Sequence, residues 1–125
     1  MLVKADLNWS QLLVYNETNL SVHCTENPGV YSISALIDQK VQVVYVSRAE
    51  NIGQRLRNHK RFFEPNSFLK NVLEEKECYF RYCEVQNPID RQNVEYTLFK
   101  YYRPSCNIIE PRGELININI WMTPS

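Results

Sequence analysis

Arg55 and His59 stand four residues apart in a stretch with helical periodicity, so their side chains stack on one helix face. That face carries an apolar stripe of Ile52, Leu56 and Phe63. A cation on the edge of a core-facing stripe is costly unless it meets a partner or opens into a cleft. The ordinary reading is structural: an arginine in an ion pair and a histidine hydrogen-bonded in the core. Glu95 raises the same question on a later helix, where it borders a stripe of Val94, Leu98 and Tyr101. A carboxylate there can pair with Arg55 or ligate a hard cation such as Mg²⁺, which takes oxygen ligands and keeps several waters.

Two tyrosines join this set through a hairpin. Gly29 to Ile37 and Val41 to Ser47 are rich in β-branched and aromatic residues, with Asp38-Gln39-Lys40 between them. A three-residue loop places Ile37 opposite Val41 and Tyr45 opposite Ile33, with Tyr31 the diagonal neighbour of Tyr45 on one face. An even-length loop reverses that parity. The face therefore depends on the turn.

The remaining elements follow from periodicity and caps. Ala49 to Arg61 reads as a helix. Ser67 to Lys76 reads as a second, capped by Asn66, with Phe68, Leu69, Val72 and Leu73 inward. Glu77 to Gln86 reads as a strand. Asn87-Pro88 opens a last helix, with Asp90 favouring its N-terminal dipole, and Pro104 ends it after about Tyr102. Glu114 to Trp121 alternates like an additional strand, whose open edge could pair two chains into a homodimer. Leu12 to Val14 fit a short helix or a short strand equally well. The expected fold is a small α/β (α+β) domain, a mainly antiparallel central sheet flanked by helices.

Gly29-Val30-Tyr31, Tyr45-Val46-Ser47, Arg55, His59, Glu95 and Asn107 together resemble the signature of the GIY-YIG nuclease superfamily. Tyr45 to Arg55 is ten residues, Arg55 to His59 four, and Glu95 to Asn107 twelve. Arg103-Pro104-Ser105-Cys106-Asn107 is similar to the K-P-x-x-N ending common in that superfamily. One triplet is a weak signal; six polar residues in order at matching spacings are a strong one. The departure is Ser47, where the second triplet has glycine.

The resemblance covers residues 29 to 107 and implies a metal-dependent endonuclease, with DNA the expected substrate. It implies one Mg²⁺ or Mn²⁺ on Glu95, polarising the scissile phosphate. Tyr31 would take the proton of the attacking water. A phenol with a pKa of about 10 needs help from nearby cationic charge to do so. Arg55 would stabilise charge on the phosphorus centre, and His59 would relay a proton or orient the water. Tyr45 would hydrogen-bond within the site, and Asn107 would fix backbone geometry past the helix end. Sheet packing for Tyr45 and a turn role for Asn107 are the plain alternatives. A weakly active or inactive module that binds nucleic acid or protein on the same fold is the competing function.

Formal net charge is zero, which gives no whole-molecule sign of a polyanionic partner. Local balance differs. Residues 48 to 61 hold Arg48, Arg55, Arg57, Lys60 and Arg61 against Glu50, a net +4, suited to phosphate contact. The 125 residues fit one domain spanning 1 to 125, a stand-alone member with extensions either side of the 29 to 107 core. No apolar run is long enough to span a bilayer, and the start lacks the apolar core of a signal peptide, so the chain reads as cytoplasmic. Cys24, Cys78, Cys83 and Cys106 form no C-x-x-C pair and read as reduced thiols. Cys78 and Cys83, five apart on one strand, should face opposite sides of it.

Overall fold

The computed structural model of the protein describes residues 4–5, 7–61 and 64–118, with side chains over 7–60 and 64–118. In chain order the elements are β1 (Lys4–Ala5), β2 (Leu13–Val14), α1 (Glu17–Val22), β3 (Gly29–Ile37) and β4 (Lys40–Ala49). Then come α2 (Ile52–Arg61), α3 (Ser67–Glu75), β5 (Cys78–Glu84), α4 (Pro88–Tyr102) and β6 (Asn117–Ile118). The main sheet has the order β2-β5-β3-β4 and is antiparallel throughout.

The sheet is covered on both faces. One carries Tyr31, Ile33, Ala35, Val44 and Phe80 against Ile52 and Leu56 of α2, Leu69 of α3 and Leu20 of α1. The other carries Val30, Val46 and Cys83 against Val94 and Leu98 of α4. Cys78 and Cys83 belong to opposite faces as the period of two requires, and all four cysteines are free.

The hairpin turn is shorter than expected. Ile37 pairs with Lys40, leaving the two-residue loop Asp38-Gln39 with φ of 51° and 67°. Two left-handed residues in succession make the mirror-image turn that matches strand twist. That even loop alone would have put Tyr45 on the wrong face. Instead the register shifts between Ile33 and Ser34, where Val44 is the extra residue of a bulge. Beyond it Ile33 faces Tyr45, so Val44 and Tyr45 both pack on the α2 face beside Tyr31. The pairing was expected; its cause is a bulge in place of a longer loop.

Gly29 must be glycine because the backbone is crowded there. A Cβ on it would lie 2.1 Å from the Cys83 carbonyl oxygen and 2.7 Å from the Ile52 side chain. The close fit draws β3, β5 and the start of α2 together. The Asn51 side chain accepts from the Gln54 N–H, and the Ile52 and Gly53 N–H groups bond the carbonyls of Asn27 and Thr25. These contacts fix where α2 enters. It starts at Ile52 because β4 runs on to Ala49.

Several local expectations are corrected. Phe68 is 62% exposed on α3 and Tyr101 48% exposed on α4, so neither faces the core. The buried residues are Leu69 on α3 and Val94, Glu95, Thr97 and Leu98 on α4, and Val72 and Leu73 pack against the core from α3 as expected. Of residues 12 to 14, Leu13–Val14 form a strand, and α1 follows it, capped by the Asn16 side chain. The C-terminal strand does not join the main sheet: β6 pairs in parallel with β1. The outer edge of β4 is already taken, because Cys106 N–H bonds the Val44 carbonyl and Asn107 bonds Val46. Phe63 and the end of the strand at Trp121 lie outside the described residues, as does the Arg61 side chain.

Candidate active site

The site lies at the β4 edge of the hairpin, between α2, α4 and the segment after α4. Tyr31, Tyr45 and His59 form a ring cluster, with centroids 6.3 Å apart for the tyrosines and 5.5 Å for Tyr45 and His59. Tyr31 Oη is 2.7 Å from His59 Nε2, and His59 Nδ1 is hydrogen-bonded to Glu64. Tyr45 and Arg55 line two adjoining hollows. One continues to Asn58, His59 and Glu64, and the other to Ser47, Arg48, Glu95 and Asn107. Arg55, Tyr45, Glu95 and Asn107 therefore share one hollow, with His59 at its margin.

Tyr31 is one layer deeper. It is fully buried and lines neither hollow; the His59 imidazole bonds its hydroxyl, and the Arg55 and Ser47 side chains reach it. Burial pushes its phenol pKa up, and the Tyr45 phenol adds to this; Arg55 and Ser47 only partly oppose it. The expected lowering by Arg55 is thus present but outweighed by desolvation. Tyr45 is also raised by burial, against Ser47 and Arg55. His59 is lowered by burial, with Glu64 opposing, so a neutral imidazole is the state the site favours.

Glu95 is buried at 9% exposure, on the inner side of α4. Its pKa is raised by burial, against the charge and backbone N–H of Arg48. Arg48 Nε is 3.7 Å from Glu95 Oε1, the edge of ion-pair range. A desolvated carboxylate on the wall of a polar hollow, with one loosely held partner, is a good fit for a hard cation that brings its own waters. Among the described residues no cluster of three His, Cys, Asp or Glu side chains is placed to enclose a metal. One carboxylate and an open side suit Mg²⁺ or Mn²⁺ better than zinc.

Asn107 takes its place through the backbone. Its Oδ1 accepts from Val46 N–H at 3.0 Å and its Nδ2 donates to the Val46 carbonyl at 2.8 Å. The side chain behaves as one more strand rung on the β4 edge, next to Tyr45. Ser47 lies in extended β4, opposite Tyr31, with no left-handed φ, so a glycine is not required for the turn of the chain here. Its hydroxyl reaches both tyrosines and favours their ionised forms.

The basic strip divides. Arg48 lines the Glu95 hollow, together with Arg112, which charge counting along residues 48 to 61 could not reveal. Arg57 and Lys60 do not join it. Lys60 Nζ bonds the Tyr15 carbonyl at 3.3 Å and lies over the Tyr15 ring, and Arg57 is beside Gly53 and Cys24. At 100° per residue, Arg57 and Lys60 stand roughly 160° and 140° around α2 from Arg55, whereas His59 is only about 40° away. Glu64 is the member that spacing missed. Its signal was indirect: a histidine on a core-facing stripe needs an acceptor, and Glu64 is the first carboxylate past it.

The frame has known counterparts among solved structures. The GIY-YIG N-terminal endonuclease domain of UvrC from Thermotoga maritima, bound to its catalytic divalent cation magnesium, superposes with a TM-score of 0.56 at 23% identity. The match covers 73% of this chain and 93% of that one. A point mutant of the same domain gives a TM-score of 0.56 at 22% identity, over 73% and 93%. The ordered residue set thus sits on the fold of that GIY-YIG domain. Among curated proteins it is similar to UvrABC system protein C of Mycoplasma pneumoniae, 34% identical over 83 residues, and of Rickettsia canadensis, 28% identical over 88. Those matches cover 66% and 70% of this chain and 13% of each relative's length. No family profile matches the chain.

Proposed function

We propose that the chain is a metal-dependent endonuclease domain that hydrolyses phosphodiester bonds in DNA. The observation that carries this is the convergence of Glu95, Arg55 and Tyr45 on one hollow, the carboxylate desolvated and the guanidinium exposed. A binding module that only kept the fold would gain nothing from a buried carboxylate whose burial raises its pKa.

Glu95 would hold one Mg²⁺ or Mn²⁺, which supplies Lewis-acid polarisation of the phosphate and stabilises the leaving oxygen. Arg55 presents a planar fork of donors to the non-bridging phosphate oxygens and to the charge that builds on them. Arg48 and Arg112, on the same wall, neutralise the flanking phosphates, whereas Arg57 and Lys60 serve the fold. Tyr45 orients the water through its hydroxyl. Tyr31 takes the proton as Arg55 turns onto the phosphate and uncovers the phenol beneath it, and His59 receives the proton that Tyr31 gives up. Asn107 holds the β4 edge so that Tyr45 keeps its aim.

Plasmid, branched DNA and a matched RNA, incubated with Mg²⁺ or with EDTA, test the reading. Metal-dependent nicking of DNA is expected, lost by at least about 10²-fold in Arg55→Ala and Glu95→Ala while both stay folded. Cutting that survives both substitutions would defeat the site assignment, and no cutting of any substrate would return the chain to the binding module.

A further inference from the structure

Glu64 has no counterpart among the residues that the spacing singled out, yet it is as buried as Glu95, at 9% exposure. Both its oxygens are committed. Oε2 accepts from His59 Nδ1, and Oε1 accepts from the Asn66 N–H at 3.1 Å. Asn66 is itself held. Its Oδ1 caps α3 through the Leu69 N–H, and its Nδ2 donates to the Cys106 carbonyl at 2.6 Å, next to Asn107. The carboxylate is thus fixed from one side by a helix cap and from the other by the imidazole.

We propose that Glu64 is a positioning residue of the site: it fixes His59 as the Nδ1–H tautomer, so that Nε2 is the acceptor for the Tyr31 proton. A carboxylate can only accept, so Nδ1 must carry the hydrogen. Nε2 is then a lone pair, and the 2.7 Å contact is Tyr31 Oη–H donating to it. The phenol oxygen is left as an acceptor, reached by Arg55 and Ser47 in the free site and by the water once Arg55 turns onto the phosphate. The water oxygen bonds phosphorus as its proton passes to Tyr31 Oη, and the former Tyr31 proton passes to Nε2. The bond from phosphorus to the leaving sugar oxygen breaks with its electron pair, and that oxygen takes a proton from solvent. The imidazolium formed meets the Glu64 charge until it returns its proton to water. A buried phenol that resists ionisation then never has to exist as a free phenolate. The groups that face His59 are Tyr31 from β3, Tyr45 from β4, Arg55 from its own helix and Glu64 from the loop before α3; Tyr15 lies behind Tyr31 and Glu64.

This role rests on the nuclease reading, so its test begins without metal or DNA. ¹⁵N NMR of the His59 ring in the wild-type protein should show the Nδ1–H tautomer, with Nε2 shifted as a hydrogen-bond acceptor. Glu64→Gln keeps the shape and the Nδ1 acceptor but removes the charge. It should lower the His59 titration midpoint, leave Mn²⁺ binding intact, and reduce kcat about a hundredfold with little change in KM. The acid limb of the kcat profile should shift with the His59 midpoint. An Nε2–H tautomer in the wild type would overturn the proposal whether or not the domain cuts DNA. So would a Glu64→Gln protein with an unmoved His59 midpoint, or one that cuts at the wild-type rate with the wild-type pH profile.

Discussion

Glu95 and Glu64 are two glutamates of equal burial on two adjoining hollows, and their surroundings differ in kind. Glu64 is saturated: a ring nitrogen and a backbone N–H occupy its two oxygens. Glu95 is not. Its side-chain partner is an arginine at 3.7 Å whose own side chain is 46% exposed, and burial outweighs that help, so its pKa is raised. A saturated buried carboxylate holds a neighbour in place. An under-served one is a place kept for something that arrives from solution, on the proposed reading a divalent cation. The same residue type is told apart by which of its lone pairs the fold has already used.

The largest expected effect separates the two by activity. Glu95→Gln should abolish metal-dependent cleavage, a loss of at least about 10³-fold, while Glu64→Gln leaves a weakened but measurable enzyme. The stability effects should run the other way. Glu64→Ala strands the His59 Nδ1–H and the Asn66 N–H in the interior and should cost about 2–4 kcal/mol by denaturant unfolding. Glu95→Gln should stabilise the metal-free protein at neutral pH, by on the order of 1 kcal/mol. A loss of stability there would erase the contrast.

The pH dependence follows from the raised Glu95 pKa. Folding favours the protonated carboxyl, so this group's contribution is fully present below the ordinary carboxylate range and lost as pH rises through the folded pKa. Metal-free wild type should therefore lose stability over that rise relative to Glu95→Gln, and Mg²⁺ should restore it, because only the ionised carboxylate binds the ion. Melting temperatures against pH, with and without Mg²⁺, check this. Removing the two Asn107 bonds to Val46 in Asn107→Ala should cost about 1–3 kcal/mol and loosen the Tyr45 end of the hollow before the Glu64 end. The smallest effect tests the hairpin on which both ends depend. Gln39 sits at φ 67°, so Gln39→Gly should add roughly 0.5–1 kcal/mol and leave cleavage unchanged.

Much of this was legible in the chain. Asn66 and Asn87 announced two helix starts by their position before Ser67 and Pro88, and both side chains do accept from the helix N–H groups. Arg55, Glu95, Tyr45 and Asn107 were placed by spacing, and they meet in one hollow. The failures have physical causes. Positive φ at Asp38 and Gln39 gave no glycine to read, so the turn looked longer, and a bulge at Val44 compensated for it unseen. Tyr31 was placed on the right face but not at its true depth, since depth depends on α2 and on the side chain of Arg55. Lys60 and Arg57 were grouped with Arg48 by position along the chain, although helix geometry turns them toward Tyr15 and Cys24. Glu64 meets His59 from five residues farther along the chain, outside the helix that carries the histidine, a contact without any fixed spacing.

The most direct measurement is Mn²⁺ titration of the protein followed by paramagnetic broadening of backbone and side-chain NMR signals. Selective loss of signal is expected at Glu95, Arg48, Tyr45 and Arg55, competed away by Mg²⁺ and absent in Glu95→Gln. Broadening that persists unchanged in Glu95→Gln, or that centres on Glu64 instead, would contradict metal binding at Glu95.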